Sequence, residues 1–307
     1  MQFLTRQTRF LNLLSAMRRI RFLSSPSSFL YCHEKYKVTD EMKSAFNRDG
    51  YIIVRNVLDH EEISKLGDAL ETDGGIMQHA YFVNDGRGRR SKLCIWSHPG
   101  HDITGMVARS EKVAGTMEQL LGGEVYHYHT KLMMKEAFTG GSFVWHQDYG
   151  YWYMNGCLYP DMGTAFIAID RCDQENGCMQ VLRGSNHLGR LNHGRVGGQT
   201  GADADRVSDI LKVLPVDDAV LDPGDTLFFH SNLLHKSNRN DSAHRRWAFL
   251  IAYNRASNNP TIEHHHPRYT PLEKVEDVEV RKCSNYSDMT GKDFMDPNTD
   301  QTAEGKK

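Results

Sequence analysis

The stretch FVWHQDYGYW, residues 143–152, sets an imidazole and a carboxylate one residue apart, His146 and Asp148. In an extended strand successive side chains alternate faces, so the two would point to the same side, about 6–7 Å apart along the chain. Two such groups aimed at one point suit a metal ion. They equally suit the wet face of an ordinary strand, because His-x-Asp recurs by chance. A metal centre needs a third donor, and the best candidate follows a turn. In LDPGDTLFFHSNLLHKS, Pro223-Gly224 opens a strand over 226–230, and His230 and His235 lie at or beyond its end. Eleven residues past His235 stands Arg246, in RRWAFLIAYN. Alternation puts Arg246, Ala248, Leu250 and Ala252 on one face and Trp247, Phe249, Ile251 and Tyr253 on the other, with Arg245 turned away. An arginine followed inward by small residues suits a pocket that receives a carboxylate through a bidentate fork.

These residues need elements to carry them. TDEMKSAFNRDG reads as a helix stopped by Gly50, and YIIVRNVL (51–58) as a β-branched strand. DHEEISKLGDALET opens on Asp59 with Glu62 three residues later, a capping box, and puts Ile63, Leu66, Ala69 and Leu70 on one face. VNDGRGRRSKL (83–93) reads as a Gly-punctuated basic loop, and GMVARSEKVAGTMEQLLGG as one helix stopped by Gly122 and Gly123. The second half is strand-like: EVYHYHTKLMM, SFVWHQD, MGTAFIAID, CMQVL, DTLFFH and RRWAFLIAY, separated by Gly140-Gly141, Asn176-Gly177, Gly184-Ser185 and Pro223-Gly224. Short strands so punctuated predict a sandwich or jelly roll. Residues 202–214 carry Val207, Ile210, Leu211 and Leu214 at helical spacing, which reads as a lid beside the pocket or an ordered insert.

The chain's 307 residues suffice for one large domain with a real core, and its net charge of −2 offers no nucleic-acid footprint. The six cysteines, Cys32, Cys94, Cys157, Cys172, Cys178 and Cys283, form no CxxC and read as free thiols of a reducing compartment. The N-terminus is Arg- and Ser-rich, with Arg6, Arg9, Arg18, Arg19 and Arg21 before its first acid, Glu34. Residues 1–33 read as a mitochondrial transit peptide, which places the mature chain in the matrix; a basic tail on a cytoplasmic protein is the alternative. The arginines break the apolar runs too often for a membrane span. The domain is expected over 36–287, followed by a polar tail, 288–307.

Four segments, WHQDYGYW, DQENGCMQVLRGSNH, LDPGDTLFFHSNLLHKSN and HRRWAFLIAYN, in this order and spacing, resemble the phytanoyl-CoA dioxygenase family of Fe(II)/2-oxoglutarate oxygenases. The resemblance covers roughly residues 38–262 and is nearest in look to the small-molecule members, the bacterial ectoine and free-proline hydroxylases. It implies a mainly β fold, a double-stranded β-helix (cupin-like jelly roll) with flanking α-helices. It further implies that His146, Asp148 and His235 are the iron ligands, a two-His-one-carboxylate facial triad with positions left open for 2-oxoglutarate and O2. Arg246 matches the partner of the 2-oxoglutarate C5 carboxylate, Ser237 a hydrogen-bonding partner of the same cosubstrate, and Trp152 a substrate-pocket position. Asp148 favours hydroxylation, because related halogenases lack that carboxylate. The expected reaction consumes 2-oxoglutarate and O2, yields succinate and CO2, and hydroxylates an unactivated C–H bond, with ascorbate as an auxiliary reductant. One departure stands out: GSNH puts Asn186 where many members carry histidine, and His187 follows it.

Other readings stand beside these. His127 and His129 share one strand face and read as structural or pocket-lining, and His264–His266 as a metal scavenger or a solvated loop. Arg87, Arg89, Arg90 and Lys92 would recruit an anionic substrate or simply face solvent. Trp145, Tyr149, Tyr151, Trp152 and Tyr153 would supply pocket and core walls, and so many rings could cage a cationic or cyclic group. The leading substrate is thus a free amino or imino acid such as proline. An acyl-CoA α-hydroxylase and a metal-binding cupin-like protein without oxygenase activity are the alternatives.

Overall fold

The computed structural model describes residues 27–33, 36–72 and 75–296. The Arg-rich segment on which the targeting expectation rests lies outside the described residues. In chain order the strands are β1 Ser28–Leu30, β2 Tyr51–Arg55, β3 Tyr81–Asn84, β4 Arg90–Ser97, β5 Val125–Lys135, β6 Phe143–His146, β7 Met162–Ala168 and β8 Met179–Leu182. They continue as β9 His193–Val196, β10 Gln199–Ala202, β11 Val216–Ala219, β12 Thr226–His230, β13 His235–Ser237, β14 Arg246–Arg255 and β15 Asp293–Phe294. The helices are α1 Asp40–Asp49, α2 His60–Glu71, α3 Ile103–Arg109, α4 Thr116–Leu121, α5 Asp148–Trp152, α6 Ala204–Ile210 and α7 Asp277–Lys282.

Two sheets face each other. The larger runs β1-β2-β12-β7-β14-β5-β4-β15, with β3 also on β4; the smaller runs β11-β8-β13-β6. Period-two alternation decides which side of the large sheet each residue serves. Ile52, Val54, Ala165, Ile167, Phe228, Trp247, Phe249, Ile251 and Tyr253 pack outward against the helices. Tyr51, Ile53, Phe166, Ala168, Leu227, Phe229, Ala248 and Leu250 pack inward against Met179 and Val181 of the small sheet. Burying both faces explains why these strands are nearly continuously apolar, and each such side chain contributes about 1.5–3 kcal/mol. The expected mainly β jelly roll with flanking helices is the observed fold.

Local signals act as read at several points. Gly50 ends α1 in the left-handed conformation (φ 81°), and Asp59 with Glu62 forms the capping box of α2. All six cysteines are free. Two expectations change. The long helix over 105–123 breaks at extended Ser110 (ψ 146°), where a π turn, Glu111–Gly115, separates α3 from α4. The break lets Ser110 bridge to Val275 and places buried Lys112 2.6 Å from Glu62. The basic loop is a hairpin, β3–β4, whose turn is held by Asp85 accepting from the Arg87 and Arg89 backbone N–H groups. Of the two readings of the 202–214 insert, the ordered one holds: it forms α6, packs Val207 and Ile210 against Leu182 and Leu234, and does not line the cavity shared by His146, Asp148, Tyr151 and Trp152.

Packed structure is found on the far side of both expected domain edges. Residues 28–30 form β1, parallel to β2, and Tyr31 is buried with its hydroxyl donating to Asp277. Beyond residue 287, β15 pairs with β4, and Lys292 meets Asp102 at 2.5 Å with both side chains fully buried. Removing one partner of such a pair leaves a buried charge uncompensated. Lys292→Ala should therefore cost roughly 3–5 kcal/mol in urea unfolding; a change within error would mean that the 288–296 segment contributes nothing to the fold.

Candidate active site

His146 ends β6, and the strand's course continues through Gln147 (φ −110°, ψ 134°) before Asp148 opens α5. Asp148 is thus not the strand residue expected from sequence, yet the extended Gln147 keeps His146 and Asp148 on one side. Gln147 points the other way and is fully engaged: its amide nitrogen donates to the Gly189 and Asn232 carbonyls, and its amide oxygen accepts from Leu191 N–H. Its backbone N–H donates to His193 Nε2. Across the ladder, His235 of β13 stands directly opposite His146.

The three side chains converge. Asp148 Oδ1 lies 3.9 Å from His146 Nε2 and 3.8 Å from His235 Nε2, and one potential ligand atom from each residue lies within 4.8 Å of the others. His146 Nδ1 donates to the Val144 carbonyl at 2.8 Å, and His235 Nδ1 to the Leu233 carbonyl at 2.9 Å. A carbonyl only accepts, so both protons sit on Nδ1 and both Nε2 lone pairs turn inward. Burial pushes both imidazoles below the usual histidine range, with the His146–His235 proximity adding to it at His146 and Asp148 opposing it at His235. Thr164 Oγ1 donates to Asp148 Oδ2 at 3.2 Å and orients the carboxylate. Two neutral imidazoles and one carboxylate, with room on one side, fit an Fe(II) centre of the facial-triad kind.

Behind this cluster β5 and β14 pair with Arg246 opposite Lys135, Ala248 opposite Met133, Leu250 opposite Lys131 and Ala252 opposite His129. Arg246 is 1% exposed, and the described residues offer it no ion pair. Its guanidinium donates to the Gly177 carbonyl at 3.1 Å and touches Met133 Sδ, while Nε has no partner. Lys135, fully buried beside it, donates to Ser237 Oγ at 2.8 Å and to the Asn238 carbonyl. Burial, then the neighbouring arginine, pushes the Lys135 ammonium well below its usual range, and burial also lowers Arg246. A buried guanidinium beside a buried lysine amine, neither paired directly with a carboxylate, offers hydrogen-bond donors and positive charge to an anion. A narrow recess lined by Lys131, Met133, His146, Asp148, His235, Ser237 and Arg246 joins them to the His-Asp-His cluster. Lys135 is a site residue that sequence reasoning misses; the signal that could find it is the alternation His129, Lys131, Met133, Lys135 on one face of β5.

A larger cavity of about 420 Å³ opens from the same cluster, walled by Tyr151 and Trp152, His129 and Lys131, the β9–β10 hairpin, His266 and Met295. Trp152 stands where expected, edge-on to Tyr128 and His129. Tyr149 and Trp152 are core walls and Tyr151 and Trp152 pocket walls, as expected, but the five rings form no common cage. Tyr149 turns its hydroxyl to the Leu158 carbonyl, Tyr153 is exposed, and Trp145 lies under Lys236. Nor do His127 and His129 share a face. The pairing with β14 skips Tyr128, a bulge that sends His127 to Thr130 Oγ1 and leaves His129 on the cavity wall. Asn186 and His187 line neither the cavity nor the recess, and Asn186 donates to the Asn47 carbonyl instead. His230 is a buried strand-end residue whose Nδ1 accepts from Asn232 N–H, its pKa lowered to about 4 by burial.

The donor geometry predicts graded losses. Thr164→Val should weaken divalent-metal binding at the cluster about 10–100-fold, and His235→Ala by more. Equilibrium dialysis checks both, and equal, negligible effects would remove the cluster from consideration.

Comparison with known proteins agrees with this geometry. A sequence model of the phytanoyl-CoA dioxygenase (PhyH) family matches residues 46–248. The chain is 30% identical over 251 residues to the L-proline trans-4-hydroxylase of Streptomyces griseoviridis, covering 76% of this chain and 91% of that one. It is 25% identical over 244 residues to the ectoine dioxygenase of Stutzerimonas stutzeri, covering 73% and 80%. EctD from S. alaskensis has the same fold: its apo form superposes with a TM-score of 0.66 at 19% identity over 82% of this chain and 92% of that one. Its iron-bound form gives 0.64 at 20% identity, over the same shares. The converging imidazoles, the carboxylate and the buried arginine behind them thus sit in a chain that belongs to the phytanoyl-CoA dioxygenase family of Fe(II)- and 2-oxoglutarate-dependent oxygenases.

Proposed function

We propose that this protein hydroxylates a small free amino or imino acid, with L-proline as the leading substrate, using Fe(II), 2-oxoglutarate and O2. The observation that carries the reading is the pairing of two features across one recess: a His-Asp-His cluster with both Nε2 atoms turned inward, and a buried arginine with an unpartnered Nε behind it. In this reading His146, Asp148 and His235 hold the iron. Arg246 takes the distal carboxylate of 2-oxoglutarate, with Lys135 and Ser237 at its side. Bound there, Fe(II) supplies the activation of O2 that couples decarboxylation of 2-oxoglutarate to insertion of one oxygen into a C–H bond, the other oxygen ending in succinate.

The rest falls to the chain's own side chains. Trp152 and Tyr151 confine the substrate against the iron-facing side of the cavity, and Tyr151 is itself fixed by donating to the Thr200 carbonyl at 2.6 Å. Lys131 lines both the recess and the cavity and offers a cation to a substrate carboxylate. The cavity's size suits a compact metabolite. The hairpin arginines give little support to a phosphorylated carrier, because Arg89 is engaged by Asp241 at 2.5 Å and Arg90 lies over the Phe82 ring at 3.7 Å. A cupin without oxygenase activity would have no use for the Arg246–Lys135 receptor. The family relative that acts on L-proline favours an imino-acid substrate.

The purified protein with Fe(II), 2-oxoglutarate and O2 should convert L-proline to hydroxyproline with one succinate per product, read by mass spectrometry. Arg246→Met should lower kcat/KM for 2-oxoglutarate by about 100-fold, the size expected when a charged hydrogen-bonding partner is removed from a buried anion. Succinate formation indifferent to every amino and imino acid tried would sink the substrate class, though not the oxygenase.

A further inference from the structure

We propose that His264, His265 and His266 form a second divalent-metal site, separate from the His146–Asp148–His235 cluster, beside the mouth of the substrate cavity. One potential ligand nitrogen from each of the three lies within 4.8 Å of the others, the same convergence the iron cluster shows. His265 Nε2 and His266 Nε2 are 3.1 Å apart. That is a hydrogen-bond length, and two nitrogens bound to one ion at about 2.0–2.1 Å are separated by about 3.0 Å at a right angle and about 3.4 Å at the tetrahedral angle, so an ion could replace the shared proton with little movement of either ring. The rings crowd rather than disperse: centroids of His264 and His265 are 3.8 Å apart, and those of His265 and His266 4.1 Å.

The surroundings add to this. His266 is 8% exposed, and its Nδ1, the ring nitrogen turned away from His265, is buried without a hydrogen-bond partner, so no hydrogen bond there commits the ring to one tautomer. His265 and His266 line a cavity of about 150 Å³ whose other walls include Asp293 and Asp296. Three imidazoles beside two carboxylates suit an ion that accepts both nitrogen and oxygen, such as Zn²⁺, Co²⁺ or Ni²⁺.

The location gives the site a consequence. His266 stacks on His129 at 4.7 Å, and both line the substrate cavity, as does Met295, which lies between Asp293 and Asp296 in the chain. A metal held here would tie the 264–266 loop to the C-terminal segment and fix that side of the cavity mouth.

The test is a calorimetric titration of the metal-free full-length protein with Zn²⁺. Wild type should bind two equivalents, His264→Ala/His265→Ala one, and His146→Ala/His235→Ala the other one. His265→Ala alone removes an exposed ring, so it tests the site without threatening the fold; it should weaken one of the two binding steps at least about tenfold and leave the other unchanged. The idea fails if wild type binds a single equivalent that His146→Ala/His235→Ala abolishes. It fails equally if two equivalents survive in His264→Ala/His265→Ala. Because each cluster is removed separately, loss of the iron reading and loss of this one are told apart by which double variant abolishes binding.

Discussion

His146 and His235 face each other across the short antiparallel β6–β13 ladder, and that register is the constraint on which the site depends. A slip of one residue would turn one imidazole out of the cluster and bring Leu234 or Lys236 opposite His146. So short a ladder cannot hold its own register. The lock is Gln147, whose amide uses both ends on the backbones at 189, 191 and 232 while its own N–H meets His193. It fixes the chain between the two ligands contributed by β6 and α5. The Nδ1 hydrogen bonds then set each ring's rotation and tautomer, so the fold settles the direction of both lone pairs before any metal arrives.

The large sheet supplies what the small one lacks. Its outward face packs apolar side chains on the helices, and its inward face, at the β5–β14 end, carries Arg246, Lys135 and Lys131 into the sandwich. Burying a guanidinium and a lysine amine side by side is unfavourable, and among the described residues neither has a direct ion-pair partner, Asp85 and Asp170 acting on them only from a distance. The cost is tolerated because the sandwich is anchored elsewhere, by Phe166, Phe228, Phe229 and Phe249 packed at or near zero exposure. A dianionic cosubstrate bound there, as proposed, would relieve the repulsion, so the recess is built for an anion before one arrives.

Much of this architecture is legible in the amino-acid sequence. Alternation along RRWAFLIAYN places Arg246 inward and Arg245 outward, and Arg245 pairs with Glu71 and Asp170 on the outside. The capping box at Asp59 and the stop at Gly50 are local chemistry and need no tertiary information. What is not legible depends on distant partners. The break at Ser110 exists because Val275 and Asp277 bond the backbone there. The bulge at Tyr128, which parts His127 from His129, is set by the partner strand's register. Composition turns polar near both expected domain edges, yet β1 and β15 are held by pairing to β2 and β4. Lys135 escapes a reading by motif because a lone lysine at a strand end belongs to none; only its pairing opposite Arg246 gives it meaning.

The central claim is that one recess holds both the iron and the cosubstrate, and an anaerobic titration addresses it most directly. Fe(II) is added to the metal-free protein, then 2-oxoglutarate, and the visible charge-transfer absorption of the chelate is followed. Wild type should develop the band at one 2-oxoglutarate per iron, His146→Ala should not, and Arg246→Ala should need far more cosubstrate to reach it. Stoichiometric iron binding with no band at saturating 2-oxoglutarate would contradict the account.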